Sequence, residues 1–405
     1  MRICILTTST TLHQMGGTEV QAETLATEAA RQGHTVFMIT TAHPDGLKTE
    51  KKDGYTVIYL PGTSYSMSRK EAPAWWAASA KRTAELCSSE NIDVVWAENF
   101  SGLSYAAISA SERRPVISII NGLGICGEIA SNFNRVSTFG EFAYFATRYI
   151  GQLFFYYIPW FRAMVRDSDL LVGVSNESLS AVAKEFPSSA NKIKAILNPV
   201  DTDFFHPDPE LRRKAREELG FSESAQVILM AGVLNKQKGV HLGLEVFAQL
   251  TAEFPEARLL VVGDGPQRAE LNARAQLPDA SGKVVFCGMK SNKEMPRYYN
   301  AADIYLNPTL RLEGLPMVII EAMSCGLPVI VSKIGGTGST IDDGISGFFV
   351  KPGDMQGLIA KLKLILSDSE LKKCLAAGAR EKALLCFSKK KTLENYIAAS
   401  NAILR

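Results

Sequence analysis

The sequence predicts an α/β protein with two doubly wound parallel sheets, and three observations support this prediction. Short runs rich in Val, Ile and Leu alternate with helical patterns along almost the whole chain. Most of these runs lack alternation between apolar and polar residues, which is typical of strands buried on both faces of a parallel sheet. The length of 405 residues favours two domains over one.

The apolar runs give the predicted strands in order. In the first half of the chain they cover residues 3–7, 35–40, 56–60, 94–97, 116–120, 170–174 and 193–197. In the second half they cover residues 227–231, 259–263, 284–287, 304–306 and 329–331. The helical patterns between them indicate parallel βαβ units.

A segment rich in proline and aspartate, from Asn198 to Pro209, interrupts this alternation, and the pattern restarts after it. A domain boundary is therefore expected near residue 200, with domains over residues 1–199 and 200–387. A last helix, about 388–405, is expected to pack back on the first domain. Because ligands bind at the carboxyl ends of strands in such sheets, two facing domains predict a binding cleft.

Composition argues against several classes of protein. The chain is 46% hydrophobic and 21% charged, which is typical of a globular protein, and its net charge of +2 predicts no nucleic-acid partner. The seven cysteines include no CxxC pair, which favours reduced thiols in a cytoplasmic protein. No apolar stretch reaches the roughly 18 residues that a membrane-spanning helix requires.

The first predicted strand leads into a turn that contains Gly16 and Gly17, and a helical pattern follows. Thr18 and Gln21 have the spacing of a capping box at the start of this helix. Glycines at a helix N-terminus allow backbone amides to approach a phosphate. The same pair also fits an ordinary turn, so the spacing alone leaves both interpretations open.

The segment from Leu310 to Ile330 is the most informative part of the sequence. Pro316 suits the first turn of a helix, and Glu321 follows Glu313 with seven residues between them. Helical side chains lean toward the N-terminus, so both carboxylates are expected to flank it. Anion binding by the helix and hydroxyl binding by carboxylates would suit a phosphate joined to sugars, although solvated or capping glutamates have the same spacing.

The sequence around these glutamates, EGLPMVIIEAMSCGLPVI, resembles the E-x7-E signature of retaining glycosyltransferase family 4, whose members have the two-domain GT-B fold. Other segments match that family in order: MGGTEVQAETLATEAARQGHTV, NPVDTDFF, VVGDGP, VVFCGM, YYNAADIYLNPT and GGTGSTIDDGISGFFVKPGD. Together they extend from residue 1 to about residue 370. The resemblance implies a nucleotide-sugar donor in the second domain and an acceptor in the first.

The resemblance also implies roles for the matching residues. Glu321 would bind the ribose hydroxyls of the donor, Glu313 the hydroxyls of its sugar, and Lys238 its diphosphate. Met289 would lie against the base. The other implied donor-binding residues are Gly16, Gly17, Gly314, Leu315, Pro316 and Met317.

Two positions depart from the family pattern. The family usually has an arginine where this chain has Val233, and that arginine would join Lys238 on the diphosphate. Lys236 or Arg311 would then have to supply the missing charge. Asn121 replaces a histidine that usually follows the fourth parallel strand; asparagine can donate a hydrogen bond to a sugar hydroxyl but carries no charge.

Residues 139–161 contain eleven aromatic residues. A stripe at helical spacing is formed by Phe142, Phe145, Tyr149, Leu153, Tyr156 and Trp160, with nearby arginines at 135, 148, 162 and 166. This pattern predicts that Arg148, Tyr156 and Trp160 contact anionic lipid or an acceptor. A helix that packs on the core or on a second copy of the chain has the same pattern.

Neither a metal nor another cofactor is expected. Asp201 and Asp203 have the spacing of a metal-binding DxD motif, but they lie in the linker and are expected to form turn hydrogen bonds. Arg268 occupies the third glycine position of a dinucleotide fingerprint that begins at Gly263.

The resulting expectation is a cytoplasmic, retaining hexosyl- or N-acetylhexosaminyl-transferase that contacts the inner face of the cytoplasmic membrane. Its expected donor is a UDP- or GDP-sugar, and its acceptor a glycan or polyprenyl-linked hydroxyl in the assembly of a cell-surface polysaccharide such as lipopolysaccharide. Catalysis is expected to depend on Glu313, Lys238 and Asn121. The alternatives are a nucleotide-sugar hydrolase or epimerase and a catalytically silent protein that binds sugar nucleotides.

Overall fold

The computed structural model describes residues 1–14, 16–133 and 139–404. The chain forms two compact units, one comprising Met1–Pro199 with the segment that begins at Lys389, the other Val200–Ser388. Each unit contains one sheet that is mostly parallel and the helices that connect its strands. Arg135, one of the arginines near the predicted aromatic stripe, lies outside the described residues.

The first unit contains an eight-stranded sheet. Its strands are β1 (Arg2–Leu6), β2 (Thr35–Thr41), β3 (Thr49–Lys52), β4 (Tyr55–Leu60), β5 (Val94–Glu98), β6 (Val116–Ile120), β7 (Leu170–Gly173) and β8 (Ile193–Ala195). Their order is β3-β4-β2-β1-β5-β6-β7-β8, and only β3 pairs antiparallel. The chain proceeds in opposite directions on the two sides of the β1–β5 pair, so the carboxyl ends of these strands border a crevice.

The helices of the same unit are α1 (Gly17–Arg31), α2 (Ala72–Glu90), α3 (Leu103–Ala106), α4 (Gly124–Phe133), α5 (Phe139–Tyr144), α6 (Ile150–Gln152), α7 (Ile158–Asp167) and α8 (Asn176–Glu185). Two π-helical turns, Phe145–Tyr149 and Leu153–Tyr157, join α5, α6 and α7 into one long helix.

The predicted capping box at the start of α1 is wrong. The helix begins at Gly17 with Gly16 as its N-cap, and no side chain caps it. Gln21 lies on the buried face of α1 and is completely inaccessible to solvent, so it is not available to cap the preceding turn.

The second unit contains a six-stranded parallel sheet. Its strands are β9 (Gln226–Ala231), β10 (Ala257–Val262), β11 (Val284–Phe286), β12 (Ile304–Asn307), β13 (Val329–Ser332) and β14 (Gly347–Val350), in the order β11-β10-β9-β12-β13-β14. Its helices are α9 (Pro209–Leu219), α10 (Val240–Leu250), α11 (Arg268–Ala275), α12 (Met295–Ala301), α13 (Met317–Ser324), α14 (Met355–Ser367) and α15 (Ser369–Lys382). The order reverses between β9 and β12.

The last helix, α16 (Lys389–Ile403), belongs to the first unit. Its Tyr396 is fully buried, with its ring centroid 5.1 Å from that of Trp96 on β5. Ser400 accepts a hydrogen bond of 3.0 Å from the Trp96 indole. The carboxyl-terminal end of the chain therefore contributes to the core next to β5.

Each predicted strand coincides with an observed strand to within two residues at either end. Two observed strands, β3 and β14, were not predicted from the sequence. Strand β3 has the sequence TEKK, lacks an apolar run, and is held at the sheet edge by antiparallel pairing with β4. Strand β14 begins at Gly347, where a Cβ would collide with the carbonyl oxygen of Val329, so this glycine permits the close approach of β13.

Candidate functional site

Most of the predicted donor-binding residues lie beyond the carboxyl ends of two neighbouring strands in the second unit. Lys238 follows β9, and residues 313–317 follow β12 and lead into α13. These are the strands between which the sheet order reverses. In doubly wound sheets, such a reversal opens the crevice in which ligands bind.

Backbone contacts hold the segments after β9, β12 and β13 together. The backbone amide of Leu310 donates to the carbonyl of Gln237 at 2.8 Å, and that of Gly336 donates to the carbonyl of Glu313 at 2.8 Å. Gly239 has a φ of +70°, and a Cβ there would collide with the carbonyl of Pro308. Glycine is therefore required where the turn that carries Lys238 meets the segment after β12.

This arrangement brings three charged side chains together. The Lys238 ammonium donates to Glu313 Oε1, and Arg311 Nε lies 3.8 Å from the same oxygen. The side chains of Lys238 and Glu313 are largely buried, whereas about a third of Arg311 is exposed. Glu313 Oε2 and Arg311 Nε are buried and make no hydrogen bond within the described part of the chain. The family resemblance implies that Lys238 binds the diphosphate and Glu313 the sugar; in the structure the two side chains form an ion pair with each other.

Glu321 lies on α13 and is 4% exposed. Its carboxylate accepts hydrogen bonds from the Tyr299 hydroxyl at 2.8 Å and from the Asn292 amide at 3.3 Å. Burial raises the pKa of Glu321 to about 7, and both hydrogen bonds oppose this shift. The two glutamates thus have separate partners, but both are near the buried Tyr305, whose hydroxyl pKa is raised by burial and by their charges.

The segment between the glutamates forms the start of α13. Gly314, Leu315 and Pro316 are buried, Met317 is half-buried, and Pro316 occupies the N-cap position without a side-chain hydrogen bond. The sequence predicts Pro316 in the first turn of this helix, whereas in the structure it precedes the first helical residue, Met317. The amino-terminal end of α13 and the Lys238 ammonium therefore provide positive potential beside two carboxylates.

One predicted donor-binding residue and the position of the missing arginine are open to solvent. Met289, which follows β11, is 81% exposed, and Val233, where the family usually has arginine, is 53% exposed. Lys236 is also exposed. Of the two replacement cations predicted from the sequence, Arg311 is the one that lies beside Glu313.

In the first unit, Gly16 and Gly17 lie at the start of α1, but a carboxylate already occupies this end of the helix. Glu19 is 5% exposed and accepts hydrogen bonds from Ser9 at 2.5 Å and from Gln14 at 2.7 Å. A Cβ on Gly16 would collide with this carboxylate. The glycine therefore makes room for Glu19, and phosphate binding by Gly16 and Gly17 stays a prediction.

Asn121, at the end of β6, donates from its side chain to Glu98 at 2.6 Å. Glu98 is the last residue of β5 and is 2% exposed. Burial raises its pKa to about 8; the hydrogen bond from Asn121 opposes this shift and the charge of Glu19 adds to it. Glu98 was not predicted as a site residue from the sequence. An acidic residue at the end of a buried strand is a signal that could have indicated it.

Two cavities of about 390 and 410 Å³ lie in the first unit. The residues that line both cavities are Arg69, Asn99, Phe100, Tyr157 and Trp160. Asn121 lines the smaller cavity, and Glu98 and Glu19 line the larger one. Aromatic rings beside carboxyl and amide groups form a surface suited to a polar ring with hydroxyl groups.

The structure separates the aromatic residues of the long helix into two groups. Trp160 packs edge-on against Trp76 at 4.8 Å and lines both cavities. Tyr156 is half-buried, and Arg148 is exposed. The exposed aromatic residues are Phe139, Phe142, Tyr144, Phe154 and Phe155. Of the six stripe residues Phe142 is exposed, while the other five are buried or half-buried, so most of the stripe packs against the first unit, as the core-packing alternative predicts.

The remaining predictions concern the Asp201 turn, metal binding and membrane-spanning helices. Asp201 Oδ1 accepts hydrogen bonds from the backbone amides of Asp203 and Phe204 at 3.1 and 3.2 Å, which is the predicted turn. In the described ranges, no group of three or more His, Cys, Asp or Glu side chains is placed to hold a metal ion. No helix within these ranges has the length and apolar character needed to cross a bilayer.

Comparisons with known proteins identify the family and the fold of this chain. The family model described as Glycosyltransferase Family 4 matches residues 15–204, and the model described as Glycosyl transferases group 1 matches residues 212–382. N-acetyl-alpha-D-glucosaminyl L-malate synthase from Bacillus anthracis is 25% identical over 399 residues, which cover 96% of this chain and 95% of that protein.

A second relative is the GDP-mannose-dependent alpha-(1-6)-phosphatidylinositol monomannoside mannosyltransferase of Mycolicibacterium smegmatis. It is 29% identical over 229 residues, which cover 55% of this chain and 59% of that protein. The crystal structure of Anabaena Alr3699/HepE in complex with UDP and glucose matches with a TM-score of 0.75 and 21% identity over 99% of both chains, which shows the two-domain, Rossmann-like GT-B fold. The chain therefore belongs to glycosyltransferase family 4 and is a glycosyltransferase.

Proposed function

We propose that this glycosyltransferase moves a hexosyl or N-acetylhexosaminyl group, with retention of configuration, from a UDP- or GDP-sugar to a hydroxyl group of a glycan or lipid-linked glycan. The observation that carries the proposal is the cluster of Lys238, Arg311 and Glu313 beyond β9 and β12. Cations suit a diphosphate leaving group, and a carboxylate suits sugar hydroxyls.

In the proposed reaction, the acceptor oxygen forms a bond to the anomeric carbon while the bond from that carbon to the phosphate oxygen breaks. Lys238 neutralises the charge that develops on the departing nucleoside diphosphate. The acceptor proton passes to a phosphate oxygen of the donor, so the reaction needs no covalent enzyme nucleophile. We also propose that it needs no metal ion. Glu313 orients the donor sugar through its hydroxyls.

The burial or exposure of the other predicted donor-binding residues supports the contacts that we propose for them. Glu321 is held by Tyr299 and Asn292, so a fixed carboxylate is available to ribose hydroxyls. Met289 is exposed and free to cover a base. At the start of α13, Gly314 and Met317 are the proposed amide donors to the phosphates, and Leu315 and Pro316, which has no amide hydrogen, complete the turn. Gly16 and Gly17, at the start of α1, are further proposed phosphate-binding residues.

For the acceptor, we propose the aromatic-lined cavities of the first unit. Phe100, Tyr157 and Trp160 offer rings on which a sugar can stack, and Asn121 offers an amide to its hydroxyls. The relative from M. smegmatis is named for a phosphatidylinositol monomannoside, which supports an acceptor presented by a lipid. A role in cell-surface polysaccharide assembly, such as that of lipopolysaccharide, is proposed on the same basis.

A lipid-linked acceptor requires contact with a membrane surface. Phe139, Phe154 and Phe155 are exposed near Arg148 in the sequence, and exposed aromatic residues with nearby cations suit the headgroup region of anionic lipid. We propose peripheral binding at the inner face of the cytoplasmic membrane through this part of the long helix.

The direct test incubates the purified protein with a panel of UDP- and GDP-sugars and measures nucleotide release with and without an acceptor extract. Release that depends on the extract, with a new α- or β-linkage matching the configuration of the donor, is the expected result. Release without any acceptor would indicate a hydrolase, and binding without turnover would indicate a silent protein. Either of these results would contradict the proposed transfer reaction.

A further inference from the structure

The charges around Glu313 do not balance. Two cations, Lys238 and Arg311, share one carboxylate oxygen, while Glu313 Oε2 and Arg311 Nε are buried without a hydrogen bond in the described ranges. A buried donor or acceptor without a partner is costly, and a bound ion or ligand is one way in which such a group is satisfied. The cluster of Lys238, Arg311 and Glu313 has a net charge of +1 by itself, which suits an anionic ligand.

The backbone holds Arg311 in this position. Its amide donates to Thr309 Oγ1 at 3.1 Å, and Thr309 Oγ1 donates to the carbonyl of Gln237 at 3.2 Å. The neighbouring amide of Leu310 donates to the same carbonyl at 2.8 Å. These hydrogen bonds connect the backbone of Arg311 to the turn that carries Lys238. The backbone therefore holds the two cations next to each other before a ligand binds.

We infer that Lys238 and Arg311 together form the diphosphate site, and that Glu313 is the internal counter-ion which the phosphates displace. This inference rests on the proposed function, because it names the residues that receive the donor's diphosphate. It also explains how the chain accommodates Val233: the second cation comes from the segment after β12 instead of the segment after β9. Once released from the cations, Glu313 is free to accept hydrogen bonds from sugar hydroxyls.

A counter-ion and a simple binding residue respond to mutation in opposite ways. Glu313→Gln removes the negative charge that competes with the phosphates, so it should strengthen UDP or GDP binding several-fold while it impairs transfer. Arg311→Ala should weaken binding of the same nucleotide by about tenfold or more, because a charged hydrogen-bonding partner is lost. Arg311→Lys keeps the charge and should restore part of that affinity.

Calorimetry with UDP, GDP, uridine and guanosine tests the inference, because the two nucleosides lack phosphates. We expect Arg311→Ala and Glu313→Gln to change diphosphate affinity in opposite directions and to leave nucleoside affinity unchanged. The matched control is Arg213→Ala, which removes an exposed arginine that pairs with Glu210 at 3.0 Å on α9. Thermal unfolding followed by circular dichroism confirms that each variant is folded.

Two results would overturn the inference. One is an equal loss of nucleoside and nucleotide affinity in Arg311→Ala, or no loss of either, while the wild type binds UDP or GDP. The other is a loss confined to Lys236→Ala, which would assign the second cation to the turn after β9. If the wild type binds neither UDP nor GDP, the proposed function itself fails.

Discussion

Asn121 donates a 2.6 Å hydrogen bond to Glu98, a carboxyl group that is almost completely buried where β5 ends. Burial raises the pKa of Glu98 to about 8, so the group is mostly protonated at neutral pH. Asparagine carries no charge and offsets this shift only through its hydrogen bond. The pair therefore joins a predicted catalytic residue to a titratable group beside two cavities.

Glu98 should make stability depend on pH. In the unfolded chain it ionises near its ordinary value of 4.5, whereas in the folded protein it holds its proton to about pH 8. The unfolded state therefore binds fewer protons in this window, and stability falls as pH rises through it. Glu98→Gln should raise the melting temperature at pH 8 by on the order of 5 °C and have little effect at pH 4.

Thermal unfolding between pH 4 and 9 checks this prediction. Glu381→Gln, at an exposed position on α15, is the control and should leave the curve unchanged at every pH. Asn121→Ala should enlarge the fall in melting temperature between pH 4 and 9, because it removes the hydrogen bond that opposes the raised pKa of Glu98. A constant offset between Glu98→Gln and wild type at all pH values would contradict the titration of Glu98.

Glu321→Ala should weaken nucleotide binding by about 1 to 3 kcal/mol, because ribose hydroxyls lose a buried carboxylate. Calorimetry with the preferred nucleoside diphosphate measures the effect. Tyr299→Phe is an informative companion, since it removes the 2.8 Å hydrogen bond that fixes the carboxylate and should give a smaller loss. Unchanged affinity in a folded Glu321→Ala protein would rule out the ribose contact.

Lys238→Ala should lower turnover by about a hundredfold or more, because the departing diphosphate loses the cation that stabilises its charge. Initial rates with a saturating donor measure this effect. Lys293→Ala, an exposed lysine in the same unit, is the control and should retain full activity. A rate within a factor of a few of wild type would mean that Arg311 or backbone amides carry the phosphates alone.

Transfer should survive EDTA, because the proposed site balances the diphosphate with Lys238 and Arg311 and not with a divalent cation. Rates are compared before and after extensive dialysis against the chelator. Loss of activity that added Mg²⁺ or Mn²⁺ restores would show that a metal bridges the phosphates.

Peripheral membrane binding should depend on Phe154 and Phe155, which are exposed on the long helix. The protein should sediment with liposomes that contain anionic lipid, and Phe154→Ser with Phe155→Ser should reduce this binding while the donor still binds. Leu384→Ser with Leu385→Ser, which alters exposed apolar residues in the other unit, is the control. Wild-type protein that stays in the supernatant at low salt would contradict peripheral binding.

Replacing Tyr156 and Trp160 by serine would be a poor test of lipid contact. Trp160 packs against Trp76 at 4.8 Å and Phe100 at 5.8 Å, so its loss would disturb the cavity walls. The helical spacing left core packing and lipid contact open, and the burial of Tyr149, Leu153 and most of Trp160 agrees with core packing.

The sequence by itself determined the elements whose signal is local. Continuous apolar runs gave each predicted strand to within two residues, because a strand buried on both faces requires such a run. The spacing of Glu313 and Glu321 around the start of a helix was likewise visible in the chain. Strand β3 was not visible, since its charged sequence forms a strand only through pairing with β4.

Only the tertiary structure decided which side chains meet. Lys238 and Glu313 are 75 positions apart, and they form an ion pair because β9 and β12 are neighbours and Gly239 lets their following segments touch. Glu98 and Asn121 become partners because β5 and β6 pair in parallel and end together. Burial then sets the ionisation of Glu98. Pairing between distant strands and removal from water depend on the whole fold, so neither can be derived from residue spacing.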